Sequence, residues 1–253
     1  MRQFFLVVDP AAPPVPGDVV GLEPDEAHHL QGVLRGAGDR SWCLVDGYGR
    51  RYTARAAGEG RTSRFEILAV AGDPREDAGP RLTLACAVVK GRHFELVVEK
   101  AVELGAHRLL PLVTARGVIE PGDGRRARWD ALMRAALKQS GRCRLPELAE
   151  PLSLPAALAA CTEDRLLVGG APAERDLLGA GRGAGPADAT TPAGLALFIG
   201  PEGGWTPPEA ALLTAAGARP LDLGPFTLRT ETAAIAGLVL LRALGGDGGP
   251  AGS

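Results

Sequence analysis

The sequence lacks most features of secreted, metal-binding or membrane-spanning proteins. It has four widely separated cysteines, Cys43, Cys86, Cys143 and Cys161. No two of them form a C-x-x-C pair, which argues against a zinc site and against a disulfide framework. No apolar run approaches the ~20 residues that cross a bilayer, and the five apolar residues after Gln3 are too few for a signal peptide. We therefore expect a cytoplasmic protein with no membrane partner and no metal.

The chain also lacks an overall excess of positive charge, because it contains 28 Lys and Arg residues and 30 Asp and Glu residues. It contains no G-x-x-x-x-G-K-[ST], no G-x-G-x-x-G and no G-x-S-x-G motif. These absences exclude a P-loop, an ordinary dinucleotide-binding fingerprint and a hydrolase nucleophile elbow. His28 and His29 are adjacent on a predicted helix with no third ligand nearby, so they do not predict a metal site.

The most informative stretch is residues 195–244. Residues 195–199 are all apolar and predict a strand buried on both faces. The glycine-rich residues 200–205 require a sharp turn, and residues 206–209 predict a capped helix start. A second strand, glycine turn and helix follow in residues 220–241. Because open α/β sheets bind ligands at the carboxyl ends of their strands, these two turns predict a small-molecule site.

The best candidate for a linker is the polar segment 73–80, which is rich in glycine and proline. Before it, residues 1–72 show short strand patterns typical of a small β-barrel. After it, residues 81–245 alternate strands with helices, which predicts a parallel α/β sheet. Residues 169–194 lack periodicity and predict a long loop, and residues 246–253 predict a disordered tail.

Basic residues are concentrated between positions 116 and 144, where the sequence has eight Arg and Lys residues and three acidic residues. This local excess of positive charge fits a phosphate-binding face. It equally fits a solvated loop and helix in an arginine-rich protein. Charge alone leaves both interpretations open.

Several motifs occur in an order that covers nearly the whole chain. Those near the C-terminus are Gly200-Pro201-Glu202-Gly203-Gly204, Leu223-Gly224 and Leu228-Arg229-Thr230-Glu231-Thr232-Ala233. Those upstream are Arg2-x-Phe4, His28-His29-Leu30 with Val33-Leu34-Arg35, Lys90, Lys100-Ala101-x-Glu103-Leu104-Gly105, and Ala136 with Gln139-Ser140-x-Arg142. Together they resemble the SPOUT methyltransferases, and more narrowly the RsmE family of 16S ribosomal RNA uridine-N3 methyltransferases.

The resemblance implies an α/β fold, with a SPOUT methyltransferase domain that ends in a deep trefoil knot and follows a small PUA-like β-barrel. It implies S-adenosyl-L-methionine as the cofactor and N3 of a uridine in 16S rRNA of the 30S ribosomal subunit as the target. It also implies a homodimer whose interface includes the last helix. The predicted helix of residues 233–241 is apolar nearly all round, which fits such an interface but also fits burial inside one monomer.

The resemblance further assigns residues to the site. The expected cofactor contacts are Ile199, Gly200, Pro201, Glu202, Gly203, Leu223, Gly224, Leu228, Arg229, Thr230, Thr232 and Ala233. The expected RNA contacts are Arg2, Arg35, Arg116, Gln139 and Arg142. Uracil N3 must lose a proton, so the chemistry needs a base or a cation that stabilises the anion. Arg229 is the candidate anion stabiliser and Glu231 the candidate base or orienting group, although an acid at a helix start also has a purely electrostatic explanation.

Two other functions stay open on the sequence. Another SPOUT enzyme, such as a ribose 2′-O-methyltransferase, would share the knot, but the barrel and residues 228–232 argue against it. A non-catalytic RNA-binding or ribosome-assembly protein would keep the basic surface without a cofactor. Cofactor binding therefore separates that second alternative from the enzymes.

Overall fold

The protein forms two compact units, each built on its own sheet. The first unit comprises residues 1–76 and 133–145, and the second comprises residues 77–132 and 146–253. Within these units, the computed structural model describes residues 3–31, 41–58, 63–117, 124–170 and 193–245. No helix in these described ranges is long and apolar enough to cross a membrane.

The first unit is a curled sheet of five short strands. Its elements are β1 (Gln3–Phe5), β2 (Val19–Gly21), α1 (Pro24–Gln31), β3 (Trp42–Val45), β4 (Arg50–Ala56) and β5 (Arg64–Gly72). The strand order is β1-β3-β4-β5-β2, with β1 parallel to β3 and the other pairs antiparallel. The predicted β-rich first domain is confirmed.

Aromatic residues form much of the core of this sheet. Trp42 packs edge-on against Phe4 and Phe65, with ring centroids 5.7 and 6.1 Å apart. The hydroxyl of the fully buried Tyr52 donates to Asp46 over 2.9 Å. These side chains form a buried face of the sheet, as the alternation of residues along β4 predicts.

The segment predicted as a linker, residues 73–80, contains a 3-10 helix, Pro74–Asp77, with a buried glutamate. The carboxylate of Glu76 accepts from Arg142 Nη2 over 2.7 Å and from the backbone N–H groups of Cys143 and Arg144 over 2.7 and 3.1 Å. This contact helps to hold residues 133–145 in the first unit, although the sequence pattern groups them with the α/β domain. The partners are 66 residues apart in the chain, and local patterns do not reveal such a pair.

The second unit is a parallel sheet with helices between its strands. Its elements are β6 (Arg81–Ala87), α2 (His93–Glu103), β7 (Arg108–Val113), α3 (Arg125–Ser140), β8 (Glu147–Leu148), β9 (Leu152–Ser153), α4 (Leu154–Ala160), β10 (Arg165–Gly169), β11 (Gly194–Ile199), α5 (Pro207–Ala215), β12 (Arg219–Leu221) and α6 (Thr230–Gly245). Helix α3 starts in this unit and its second half belongs to the first. The strand order is β12-β10-β11-β6-β7-β8, with β9 also paired to β7. The predicted parallel α/β domain is confirmed, while β8, β9 and α4 were not predicted.

Strand β11 lies in the middle of this sheet, and all six of its residues are buried. Helix α6 packs closely against it, since a Cβ on Gly237 would come within 2.4 Å of Leu197 Cδ2. The Thr230 hydroxyl donates to Gly200 O, so the start of α6 lies beside the end of β11. Residues 171–192, which join β10 to β11, lie outside the described residues. They include most of the predicted loop and part of the region in which the knot is predicted. The predicted tail, residues 246–253, also lies outside the described residues.

Candidate functional site

A pocket lies at the carboxyl ends of β10, β11 and β12. Its lining is Gly169, Gly170, Ile199, Gly200, Pro201, Glu202, Gly204, Leu223, Thr227, Leu228, Thr230 and Ala233. The three strand ends meet because β10 lies between the other two, with Gly169 paired to both Ile199 and Leu221. The two glycine turns predicted to share one edge of the sheet therefore do so.

The missing side chains of two glycines shape this pocket. A Cβ on Gly169 would lie 2.6 Å from Ile199 Cδ1 and 2.9 Å from Leu223 Cδ1, both in the pocket wall. A Cβ on Gly200 would lie 3.0 Å from the indole of Trp205. Because these positions carry no side chain, Ile199, Leu223 and Trp205 can pack directly against the backbone at the strand ends.

The first loop of the site is fixed by a turn and a helix cap. Gly204 has a φ of +71°, in the left-handed region, and its N–H donates to Pro201 O over 2.8 Å. Thr206 then caps α5 in the predicted capping box: Glu209 Oε2 accepts from the Thr206 N–H over 2.8 Å. Glu209 Oε1 also accepts from the Ala115 N–H over 2.9 Å. Burial raises the pKa of Glu209, but these donors outweigh it, so the net pKa is lowered and the carboxylate stays charged.

The second loop, between β12 and α6, is tied to the first. The Gly224 N–H donates to Asp222 Oδ1 over 2.8 Å, and Gly224 has a φ of +108°. At the far end, the Thr230 hydroxyl donates to Gly200 O over 3.1 Å. This bond joins the first residue of α6 to the end of β11, so both loops form one wall.

Eight of the residues predicted to contact the cofactor line this pocket. They are Ile199, Gly200, Pro201, Glu202, Leu223, Leu228, Thr230 and Ala233. The other four, Gly203, Gly224, Arg229 and Thr232, are not part of the lining. A Cβ on Gly203 would instead lie 3.3 Å from Arg116 Cβ.

Four lining residues were not predicted as contacts: Gly169, Gly170, Gly204 and Thr227. The first two lie at the end of the apolar strand β10, as Gly200 lies at the end of β11. That repetition is a signal that sequence analysis can use, but it does not show that β10 and β11 are neighbours.

The two candidate catalytic residues have very different surroundings. Arg229 is exposed at the end of the second loop. Glu231 is 6% exposed, and its Oε1 lies 2.9 Å from Nδ1 of His93, the first residue of α2. Its Oε2 is buried without a hydrogen-bond partner among the described residues. Burial, and to a smaller degree the Glu231 carboxylate, raises the pKa of the nearby Cys86, which therefore stays a neutral thiol.

The predicted RNA contacts also differ in their surroundings. Arg116 is exposed, and its Nη1 donates to Gly203 O over 2.6 Å. Gln139 is exposed on α3. The Arg142 side chain is 11% exposed, and its guanidinium pairs with the buried Glu76 of the same unit. Arg2 and Arg35 lie outside the described residues.

Metal-binding residues do not cluster anywhere in the described parts of the chain. No group of three His, Cys, Asp or Glu residues there is placed to hold an ion. The pocket lining consists of small, apolar and backbone groups with one acid, Glu202. Such a lining suits an organic ligand that makes apolar contacts and a few backbone hydrogen bonds.

Comparison with known proteins identifies the family. Residues 76–242 match the family model of the RNA methyltransferase domain. The ribosomal RNA small subunit methyltransferase E of Synechocystis sp. is 32% identical over 89% of this chain and 73% of that protein. The enzyme of that name from Mycobacterium tuberculosis is 35% identical over 89% of this chain and 86% of its own length.

Solved structures agree with the sequence comparison. The crystal structure of a ribosomal RNA small subunit methyltransferase E from Neisseria gonorrhoeae, bound to S-adenosyl methionine, matches with a TM-score of 0.81 and 28% identity over 98% of this chain and 99% of that chain. A Legionella pneumophila protein described as a methyltransferase in complex with SAM matches with a TM-score of 0.78 and 29% identity over 97% of this chain and 98% of that chain. The chain therefore belongs to the ribosomal RNA small subunit methyltransferase E family.

Proposed function

We propose that this protein transfers a methyl group from S-adenosyl-L-methionine to N3 of a uridine in 16S rRNA of the 30S ribosomal subunit. The observation that carries the proposal is the pocket at the ends of β10, β11 and β12, most of whose lining residues belong to the family's motifs. It is supported by relatives named as small-subunit rRNA methyltransferases and by a structural neighbour bound to S-adenosyl methionine.

The lining of the pocket fits this cofactor. Ile199, Leu223, Leu228 and Ala233 offer apolar surface for an adenine ring, and the glycine backbone offers hydrogen-bonding groups at close range. A Cβ on Gly169 would clash with Ile199 and Leu223, so the wall of the pocket depends on glycine at this position. When bound, the cofactor supplies a methyl group on a positively charged sulfur that is open to displacement.

The chemical task of the protein is then to align the nucleophile and to manage one proton. In-line displacement depends on orientation, which the two linked loops supply by holding the pocket wall in place. Uracil becomes anionic as N3 loses its proton, and the exposed guanidinium of Arg229, next to the lining residues Leu228 and Thr230, is suited to stabilise that anion.

For Glu231 we favour the orienting role over that of the base. One carboxylate oxygen is occupied by His93 and the other is buried, so neither faces a substrate in this arrangement. By pairing with His93, Glu231 ties the start of α6 to the start of α2, next to Thr230, whose hydroxyl donates to Gly200 O. The group that takes the N3 proton is then water or a group that the RNA brings to the site.

Substrate RNA and a second copy of the chain complete the proposal. Arg116 is an exposed cation beside the first loop and is suited to a phosphate contact. The homodimer is supported by apolar side chains that α2 and α6 leave exposed: Leu96 at 38%, Val239 at 49% and Leu240 at 37%. Helices α2 and α6 pack on each other, and exposed apolar side chains on neighbouring helices are the kind of surface that a second protein copy can cover.

The experiment that tests the function is mass spectrometry of 16S rRNA from cells that lack the gene. Their 30S subunits are analysed before and after incubation with the protein, with and without S-adenosylmethionine. We expect N3-methyluridine to be missing from the 16S rRNA of these cells and to return only when the protein and S-adenosylmethionine are both added. If the nucleoside is present in the deletion strain and nothing is restored, the proposed target is wrong. Calorimetric titration with S-adenosylmethionine then separates a different methylation site from a protein that only binds RNA.

A further inference from the structure

Aromatic side chains are scarce in this protein, and nearly all of them are buried. The chain has six Phe, two Tyr and three Trp residues. All three Trp, five of the Phe and Tyr52 are buried, whereas Tyr48 in the first unit is 50% exposed and Phe226 in the second is 78% exposed. A single exposed apolar side chain is common on protein surfaces, so exposure alone assigns no role to Phe226.

The position of Phe226 distinguishes it. It lies in the loop between β12 and α6, where Leu223 on one side and Thr227 and Leu228 on the other line the pocket. Its own side chain is not part of the lining and is left in solvent. An exposed ring therefore stands within one residue of the pocket wall.

The loop that carries the ring is anchored on both sides. Before it, Gly224 is bonded to Asp222 and Pro225 restricts the backbone. After it, Thr230 is bonded to Gly200, and the Ala233 N–H donates to Arg229 O over 2.8 Å in the first turn of α6. A ring presented by an anchored loop loses little conformational freedom when it makes a contact.

We propose that the ring of Phe226 stacks on a nucleobase of the substrate RNA, at or next to the uridine that is methylated. This inference rests on the proposed function, since it requires an RNA base at this pocket. Unstacked bases of single-stranded RNA pack on aromatic faces, and enzymes that modify a base hold it by such stacking. Arg229, three residues along the chain, is also exposed, so a cation is available to the RNA backbone near the ring.

A series of substitutions at this position tests the role of the ring. We expect Phe226→Ala and Phe226→Leu to lower kcat/KM on 30S subunits that lack the modification about tenfold, while Phe226→Tyr keeps it within about twofold. The affinity for S-adenosylmethionine, measured by calorimetry, stays unchanged in all three. The matched control is Leu212→Ala, a change at a side chain of α5 that is 42% exposed and lies outside the pocket lining.

A fluorescent substitution tests the contact directly. The native tryptophans, Trp42, Trp129 and Trp205, are only 8, 3 and 2% exposed, so an indole introduced by Phe226→Trp is the solvent-exposed emitter. Stacking on a base quenches such an indole. We expect unmodified 16S rRNA transcribed in vitro to quench Phe226→Trp and to leave Leu212→Trp nearly unchanged.

Three outcomes are informative. If the unchanged protein does not methylate the 30S subunit, the proposed function fails, whatever Phe226 does. If the unchanged protein is active and Phe226→Ala has the same kcat/KM, stacking by Phe226 is refuted. It is also refuted if Phe226→Ala and Phe226→Leu convert a dimer to a monomer in sedimentation velocity runs, because the ring is then a protein contact.

Discussion

Nδ1 of His93 lies 2.9 Å from Oε1 of Glu231, which joins the first turn of α2 to the first turn of α6. The carboxylate is almost completely buried, whereas the imidazole side chain is 46% exposed. The pair thus links a residue that the family motif contains to one that no motif indicated. It also places the acid at a helix N-terminus, where a negative charge is stabilised.

Glu231→Gln tests whether this acid orients the site or accepts the proton. If it orients, we expect the free energy of unfolding to fall by about 1 kcal/mol, because the charge at the helix start is lost. The methylation rate then falls less than about tenfold. Urea denaturation and initial rates on unmodified 30S subunits measure both quantities. A loss in kcat of two orders of magnitude with unchanged stability would instead make Glu231 the base.

Arg229→Ala tests the stabilisation of the uracil anion. We expect kcat to fall about a hundredfold, as when one stabilising donor is removed from a developing anion. The affinity for S-adenosylmethionine stays nearly unchanged, because Arg229 is not part of the pocket lining. Single-turnover rates and calorimetry separate these effects. Arg219→Ala, at an exposed arginine that starts β12, is the control and leaves kcat unchanged.

Gly169→Ala tests the pocket itself. The new Cβ would lie 2.6 Å from Ile199 Cδ1 and 2.9 Å from Leu223 Cδ1, and both are ends of flexible side chains that must move. We expect a weaker affinity for S-adenosylmethionine, by about tenfold, with a small change in Tm. Gly21→Ala is the control, because a Cβ there meets nothing within 4 Å. Equal calorimetric affinities for the two variants would place the cofactor elsewhere.

Glu76→Gln tests the ion pair with Arg142 and makes a prediction about pH. Burial raises the pKa of Glu76, but Arg142 and the N–H donors of residues 143 and 144 outweigh it and hold the pKa below its ordinary value of 4.5. The ionised carboxylate therefore stabilises the fold fully above about pH 4.5, and this stabilisation is lost as the pH falls through the lowered pKa. At pH 7 we expect the variant to be about 3 kcal/mol less stable than the unchanged protein.

Urea denaturation at pH 7 and at pH 3.5 measures the stability difference for Glu76→Gln, which should shrink at the lower pH. The control is Glu66→Gln, since Glu66 pairs with Arg55 at side-chain exposures of 32 and 62%. An exposed pair of this kind contributes less than about 1 kcal/mol. A difference for Glu76→Gln that is the same at both pH values would show that charge is not the cause.

Val239→Lys tests the proposed homodimer. Val239 is 49% exposed on α6, and a charge there opposes burial against a second copy. We expect sedimentation velocity to show a dimer for the unchanged protein and a monomer for the variant. Leu212→Lys, on the exposed face of α5, should leave the dimer intact. A monomer at all concentrations for the unchanged chain would contradict the proposal.

Patterns of neighbouring residues were sufficient to predict the local elements of this protein. The apolar run of residues 195–199 is the buried strand β11, and Thr206 with Glu209 forms the predicted cap of α5. The motifs of the two C-terminal loops, together with those upstream, indicated the family. Strand propensity, helix caps and glycine turns depend on neighbours in the chain, so they can be derived from sequence order alone.

The contacts between these elements became apparent only in the folded chain. It places Gly169 beside Ile199, removes Arg142 from the surface by pairing it with Glu76, and joins His93 to Glu231 across 138 residues. It also leaves Phe226 in solvent while nearly every other aromatic side chain is buried. The physical reason is that burial and pairing depend on contacts between distant segments, and the periodicity of a single segment contains no information about its partner.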